Sequence, residues 1–205
     1  MMQRNPFSTC FTRPGRIRFV FPEGHDVDSL LTSLAEPRSQ GAIVGPHGSG
    51  KSTLLEMLSA EWPKHGLTEQ RVQLTASRRR EAIAWRLLDD RSVLVIDGFE
   101  QLSLWRRWWI RVRCRQRKVR LLVTCHAPCG VPIILRTKPE WPLAFELVQS
   151  LLPCDASAYQ ADLKVIWDDS PGNIRDYLFR LYHWCESREL YCPDATTSER
   201  HTFSS

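Results

Sequence analysis

The sequence predicts an α/β fold in which a parallel sheet carries helices on both faces and a small helical segment follows. Three observations predict it. The apolar runs Gly41-Ala42-Ile43-Val44, Val93-Leu94-Val95-Ile96 and Leu121-Leu122-Val123 do not alternate with polar residues, which marks strands covered on both faces. Segments with helical spacing separate these runs, and strands alternating with helices close most readily as a parallel, doubly wound sheet. After Pro139 the strands stop and three helical segments follow one another.

Composition bounds the rest. The chain has 205 residues, of which 42% are hydrophobic and 25% charged. Those values exclude wholesale disorder and fibrous classes, and the length suits one α/β domain with a small appendage. No apolar run approaches the roughly 20 residues of a membrane-spanning helix, and Met1 to Thr12 lacks the apolar stretch of a signal peptide, so a cytoplasmic chain without a membrane partner is expected. The seven cysteines form no C-x-x-C pair and read as reduced thiols, not as a disulfide frame or zinc site. A net charge of +5 permits an anionic partner without requiring one.

The elements follow in order. Arg16 to Phe21 alternates basic with apolar residues and reads as a short strand, and Asp26 to Leu34 reads as a helix opened by an acidic cap; residues 1–38 form an N-terminal extension. The α/β core is expected over residues 39–138. It begins with the strand Gly41 to Val44, a glycine-rich loop, and a helix from Lys51 to Trp62 that Pro63 ends. Val72 to Leu74 is expected as a second strand, Arg80 to Leu88 as a helix, and Val93 to Ile96 as a buried strand ending at Asp97. A helix over Leu102 to Arg117, the strand Leu121 to Val123 and a short strand Ile133 to Leu135 complete the core. Leu143 to Leu152, Ala158 to Trp167 and Asn173 to Ser187 are expected as the helices of a lid over residues 139–191, with 192–205 a polar, disordered tail.

Gly45-Pro46-His47-Gly48-Ser49-Gly50-Lys51-Ser52 satisfies G-x-x-x-x-G-K-[ST], with the apolar strand before it and the helix after it. In that pattern the glycines let successive backbone N–H groups face phosphate oxygens, and the helix N-terminus adds positive potential. Lys51 is expected to bridge the β- and γ-phosphates of ATP, and Ser52 to join the Mg²⁺ shell. Thr53 extends the cradle into the first helical turn.

Asp97 stands at the carboxyl end of a buried strand, where open α/β sheets bind ligands, and is a candidate Mg²⁺-orienting acid or a cap for the segment after it. Glu100 is a candidate for the group that positions or deprotonates the attacking water, or else a first-turn acid favoured by the helix dipole. Thr124 or His126, where the strand Leu121 to Val123 turns polar, is placed to touch the γ-phosphate or the lytic water.

The ordered set G-P-H-G-S-G-K-S, V-L-V-I-D-G-F-E, L-L-V-T-C-H and G-N-I-R resembles the AAA+ and related STAND ATPases over roughly residues 40–187. The resemblance implies Walker A roles for Lys51 and Ser52, Walker B for Asp97, sensor 1 for Thr124 and sensor 2 for Arg175. Arg175 has a second reading as a surface residue on an amphipathic helix that buries Ile174, Leu178 and Leu181. The sequence departs from the common AAA+ pattern at Gly98, where a glutamate usually follows the Walker B aspartate.

Arg106, Arg107, Arg111, Arg113, Arg115, Arg117, Lys118 and Arg120 interleave with Trp105, Trp108, Trp109 and Val112. One reading is a core stripe of Leu102, Trp105, Trp109 and Val112 under a solvated basic face. The other notes that eight cations without acids repel one another unless an anion, such as DNA or RNA, or an acidic subunit face offsets them. The functional expectation is a Mg²⁺-dependent ATPase acting as a nucleotide-driven switch, in contact with nucleic acid, a protein partner or further copies of itself. The alternatives are a nucleotide-dependent binding module with little hydrolysis and a small-molecule kinase on the same loop.

Overall fold

The computed structural model describes residues 5–8, 17, 19–22, 24–75, 83–152, 154–188 and 190. It falls into two compact units, residues 18–138 and residues 1–17 with 139–205. Residues 1–38 are thus divided between the two. The tail over 192–205 lies outside the described residues, as do Arg16 and Arg18 of the expected first strand; residues 19–22 take no regular structure.

The first unit is built on five strands, β1 (Gln40–Val44), β2 (Thr68–Gln73), β3 (Ser92–Asp97), β4 (Arg120–Cys125) and β5 (Ile133–Arg136). Their order is β2-β3-β4-β1-β5 and every pairing is parallel. β1 and β4 are buried along their whole length, and β3 along all but Asp97, which is why they read as unbroken apolar runs. The edge strand β2 starts at Thr68, ahead of the expected Val72. Its polar residues Thr68 to Arg71 carry no hydrophobic signal, yet the backbone ladder to β3 runs in register from Thr68 opposite Ser92 to Gln73 opposite Asp97.

The period of two along the strands divides the core into two faces. Ile43, Val93, Val95 and Leu122 pack against α1 (Val27–Ser33) and α2 (Lys51–Glu61) through Leu30, Leu34, Leu54, Leu58 and Trp62. Ala42, Val44, Leu94, Ile96, Leu121 and Val123 pack on the opposite side, with Ile110 and Cys114 of α3 (Leu104–Gln116). At the start of α1 the Asp26 side chain accepts from the Ser29 N–H at 2.7 Å while Ser29 Oγ accepts from the Asp26 N–H at 3.1 Å, a reciprocal cap. α2 tightens into a 3₁₀ turn over Trp62–His65 that carries Pro63 and closes on left-handed Gly66.

Two expectations are corrected. The helix over Arg80 to Leu88 is absent from its described part: from residue 83 the chain forms only a 3₁₀ turn, Trp85–Leu87, because Ala84 takes a non-helical φ of −78° and ψ of 66°. The stripe expected as core holds only at Leu102, which is buried, with Val112 half-buried; Trp105 is 68% and Trp109 40% exposed, and Ile110 and Cys114 form the buried side of α3. Two arginines of that helix, Arg107 and Arg111, are half-buried and turn inward. Arg107 donates to the carbonyls of Leu102 and Glu100, while Arg111 Nε donates to Gln40 Oε1 and its own carbonyl accepts from Gln40 Nε2, so guanidinium anchoring rolls the tryptophans to the surface.

The second unit holds α4 (Trp141–Leu151), a 3₁₀ turn over Ala156–Tyr159, α5 (Gln160–Asp168) and α6 (Ile174–Ser187). Ala144, Val148, Leu163, Trp167, Tyr177 and Leu181 share one core that also includes Phe7. Buried Tyr177 sets its ring edge-on to Trp167 at 5.2 Å and donates its hydroxyl to the Leu163 carbonyl at 3.2 Å, which satisfies the polar atom inside that core. No helix among the described residues is long and apolar enough to cross a membrane.

Candidate nucleotide-binding site

The glycine-rich loop leaves β1 at Gly45 and is held from both neighbouring strands. The Gly45 N–H donates to the Cys125 carbonyl of β4 at 3.1 Å, and the Thr137 N–H, just past β5, donates to the Val44 carbonyl at 2.8 Å. A Cβ on Gly45 would lie 2.0 Å from Thr137 Oγ1 and 2.3 Å from the Thr137 carbonyl oxygen, so only glycine fits. Ser49 Oγ donates to the Pro46 carbonyl at 2.9 Å and shares a 2.6 Å hydrogen bond with Thr137 Oγ1. Thr137, 3% exposed, is a locking residue that sequence reasoning missed; its signal was its place as the first polar position after the strand flanking β1 on the other side.

Gly50 has φ of 92° directly before α2, a left-handed conformation that turns the loop into the helix and leaves the first-turn N–H groups of an 11-residue helix facing its mouth. Lys51, only 8% exposed, donates from Nζ to the carbonyls of Gly45 and Pro46, each at 2.6 Å. Ser52 and Thr53 are half-buried in the same helical turn, whereas Pro46 and His47 are exposed. Helix-end donors beside a buried ammonium fit a polyanionic phosphate group.

β4 lies between β1 and β3 in the sheet, which sets its carboxyl end between the loop and Asp97. Thr124, 1% exposed, donates from Oγ1 to Asp97 Oδ1 and accepts from the Gly98 N–H at 3.0 Å. The structure therefore ties Thr124 to the Asp97 carboxylate. His126 is the residue it brings to the loop: Nδ1 lies 3.2 Å from the Gly45 carbonyl oxygen and 3.4 Å from Lys51 Nζ, and its ring centroid is 3.6 Å from that of His47. On its other side His126 Nε2 stands 3.1 Å from Glu100 Oε1.

Glu100 sits in a 3₁₀ turn, Phe99–Gln101, introduced by Gly98 at φ of 83°. A Cβ at Gly98 would lie 2.6 Å from the Leu74 carbonyl oxygen, so the chain itself excludes a glutamate there. Glu100 reaches the loop's neighbour His126 through Oε1, and its Oε2 is buried without a hydrogen-bond partner among the described residues. Beside it, Cys125 and Cys129 share a hydrogen bond that raises the Cys125 thiol and, first among its causes, lowers Cys129 to about 6. Arg175 is exposed in the first turn of α6, in the other unit, behind an Asn173 side chain that caps the helix by accepting from the Asp176 N–H at 3.1 Å.

The arginine cluster is less bare than its charge suggests. Arg107 and Arg111 are anchored as described above, Arg117 donates to the Trp85 carbonyl, and Arg120 donates to the carbonyls of Leu34, Ala35 and Asp90. Arg113 lies over the rings of Trp85 and Trp109 at 5.7 and 5.5 Å. Internal dipoles and ring faces therefore take up much of the repulsion, leaving Arg106, Arg115 and Lys118 at the exposed rim.

No family model matches the chain. A segment of 64 residues is 42% identical to the hemin import ATP-binding protein HmuV of Ruegeria sp. (strain TM1040), covering 31% of this chain and 23% of that protein. Solved structures are similar over far more of the chain. Cdc6p from Pyrobaculum aerophilum superposes with a TM-score of 0.62 at 13% identity, covering 89% of this chain and 67% of that one. The replication initiator DnaA, solved with AMPPCP and single-stranded DNA, gives 0.57 at 13% identity over 83% and 66%. Hsp104 of S. cerevisiae, solved with casein, gives 0.55 at 13% identity over 88% and 40%. The five-stranded parallel sheet, the glycine loop after β1 and these superpositions together identify the fold of this chain as that of the AAA+ P-loop NTPases.

Proposed function

We propose that the chain binds Mg·ATP on the Gly45–Thr53 loop and hydrolyses it, acting as a nucleotide-driven switch. The observation that carries this is Lys51, buried in a glycine cradle at a helix N-terminus and bonded to two loop carbonyls that a phosphate group would replace as its partners. Lys51 then holds the β- and γ-phosphate oxygens, while the N–H groups of the loop and of the first turn of α2 donate to the rest. Ser52 and Asp97 supply the hard oxygen donors that Mg²⁺ takes, and the ion when bound offsets phosphate charge. Thr124 fixes the Asp97 carboxylate by donating to it.

Glu100 is the base in this reading. As the water oxygen bonds to the γ-phosphorus, the bond from that phosphorus to the β,γ-bridging oxygen breaks, ADP departs, and the water proton passes to the Glu100 carboxylate. Arg175 is assigned to γ-phosphate sensing on the family resemblance. Steady-state hydrolysis with parallel binding tests the assignment: Glu100→Gln should retain Mg·ATP binding and lose about 10²-fold or more in turnover. A Glu100→Gln protein that turns over as fast as wild type would remove Glu100 as base.

A second reading concerns a partner. Trp105 and Trp108 stack on each other at 4.9 Å on the outer face of α3, with exposed Arg106 and Arg115 on the same helix. Aromatic faces beside guanidinium groups suit single-stranded nucleic acid, the ligand present in the DnaA structure. Binding to an oligonucleotide that weakens with salt and is lost on Trp105→Ala with Trp108→Ala supports it; binding unchanged by those substitutions contradicts it.

A further inference from the structure

His126 stands at the end of β4 and is the side chain that joins the two halves of the site. Toward the loop it meets the Gly45 carbonyl, Lys51 Nζ and the His47 ring; toward the turn after β3 it meets Glu100. Glu100 Oε1 is held at 3.1 Å by His126 Nε2, while Oε2 has no partner among the described residues. One oxygen is therefore fixed and the other keeps its capacity to accept a proton. A buried carboxylate oxygen without a partner calls for an explanation, and a proton-accepting role supplies one. Gly98 cannot supply the acid in its stead, because its φ and the Leu74 carbonyl bar any side chain there.

We propose that His126 is a positioning residue that holds the Glu100 carboxylate at the phosphate loop and couples the state of Lys51 to it. The proposal rests on the hydrolytic reading above and adds to it the group that makes Glu100 competent. The ring spans both groups: Nε2 faces Glu100 Oε1 at 3.1 Å, while Nδ1 faces the Gly45 carbonyl oxygen at 3.2 Å and Lys51 Nζ at 3.4 Å. When Lys51 turns from the Gly45 and Pro46 carbonyls to phosphate, that side of the ring loses its ammonium neighbour while Nε2 keeps its grip on Glu100. Loop occupancy is thereby registered at the base through one imidazole, in the lattice of contacts that already includes His47.

The test is a double-mutant cycle on turnover in the full chain, with thermal unfolding and Mg·ATP binding measured for each variant. His126→Ala should lower kcat by about 10²-fold with KM for ATP little changed, and His126→Gln, which retains a donor, should recover part of the loss. In a Glu100→Gln background the His126→Ala change should do less than about twofold, because there is no longer a base to orient. Additive losses in the two backgrounds, or equal defects in His126→Ala and His126→Gln, would overturn the assignment of His126 and leave the ATPase reading standing. A wild-type chain that binds Mg·ATP but does not turn it over would contradict the hydrolytic reading and, with it, this role.

Discussion

Gly98 occupies the position at which a glutamate usually follows the strand-ending aspartate in AAA+ proteins, and restoring that glutamate is predicted to harm the chain. The φ of 83° costs a residue with a Cβ about 1–2 kcal/mol. The added Cβ would also meet the Leu74 carbonyl oxygen at 2.6 Å, a backbone atom at the end of β2 whose N–H is bonded to the Asp97 carbonyl at 2.8 Å. Relieving that overlap moves the β2–β3 edge and adds about 1–3 kcal/mol. Gly98→Ala and Gly98→Glu should therefore lose about 2–5 kcal/mol, read as a drop in the urea midpoint at unchanged m-value. Gly66→Ala separates the two contributions: Gly66 has φ of 66° but nothing within 4 Å of its would-be Cβ, so only the backbone cost of about 1 kcal/mol should appear. A Gly98→Glu protein as stable as wild type and faster in hydrolysis would refute the reasoning.

Two further substitutions probe the scaffold of the site. Gly45→Ala should abolish nucleotide binding and lower the melting temperature, since its Cβ would overlap Thr137 and come within 2.8 Å of Ser49 Oγ; a nucleotide titration checks it. Arg120→Ala should cost about 3 kcal/mol, because a 7%-exposed guanidinium donates to three carbonyls beneath α1 and before β3 and the buried Leu34 carbonyl would lose its partner, and Arg120→Lys should rescue little of it in denaturant unfolding.

Much of this was legible in the sequence, for identifiable reasons. β1, β3 and β4 are covered on both faces, so their residues are apolar without interruption and their ends could be placed from Gly45, Asp97 and Thr124. The loop could be read because its glycines and Lys51 follow a spacing fixed by backbone geometry. β2 was truncated because an edge strand needs only its ladder, and Trp105 and Trp109 were placed in the core because Arg107 bonds backbone carbonyls and Arg111 the Gln40 side chain inside the fold, which periodicity cannot distinguish from a solvated face. The Glu100–His126 pair joins residues on two different strands' exits, and only the sheet order β3-β4-β1 reveals that they meet. Thr137 went unnoticed for the same reason, being far from Ser49 along the chain and 2.6 Å from it in space.

The central claim is that Lys51 and its cradle bind a nucleoside triphosphate, and equilibrium titration of wild-type and Lys51→Ala proteins with Mg·ATP tests it most directly. Saturable binding by the wild type that Lys51→Ala loses, with the variant folded by circular dichroism, is the predicted result. Equal binding by the two proteins, or none by a folded wild type, would contradict it.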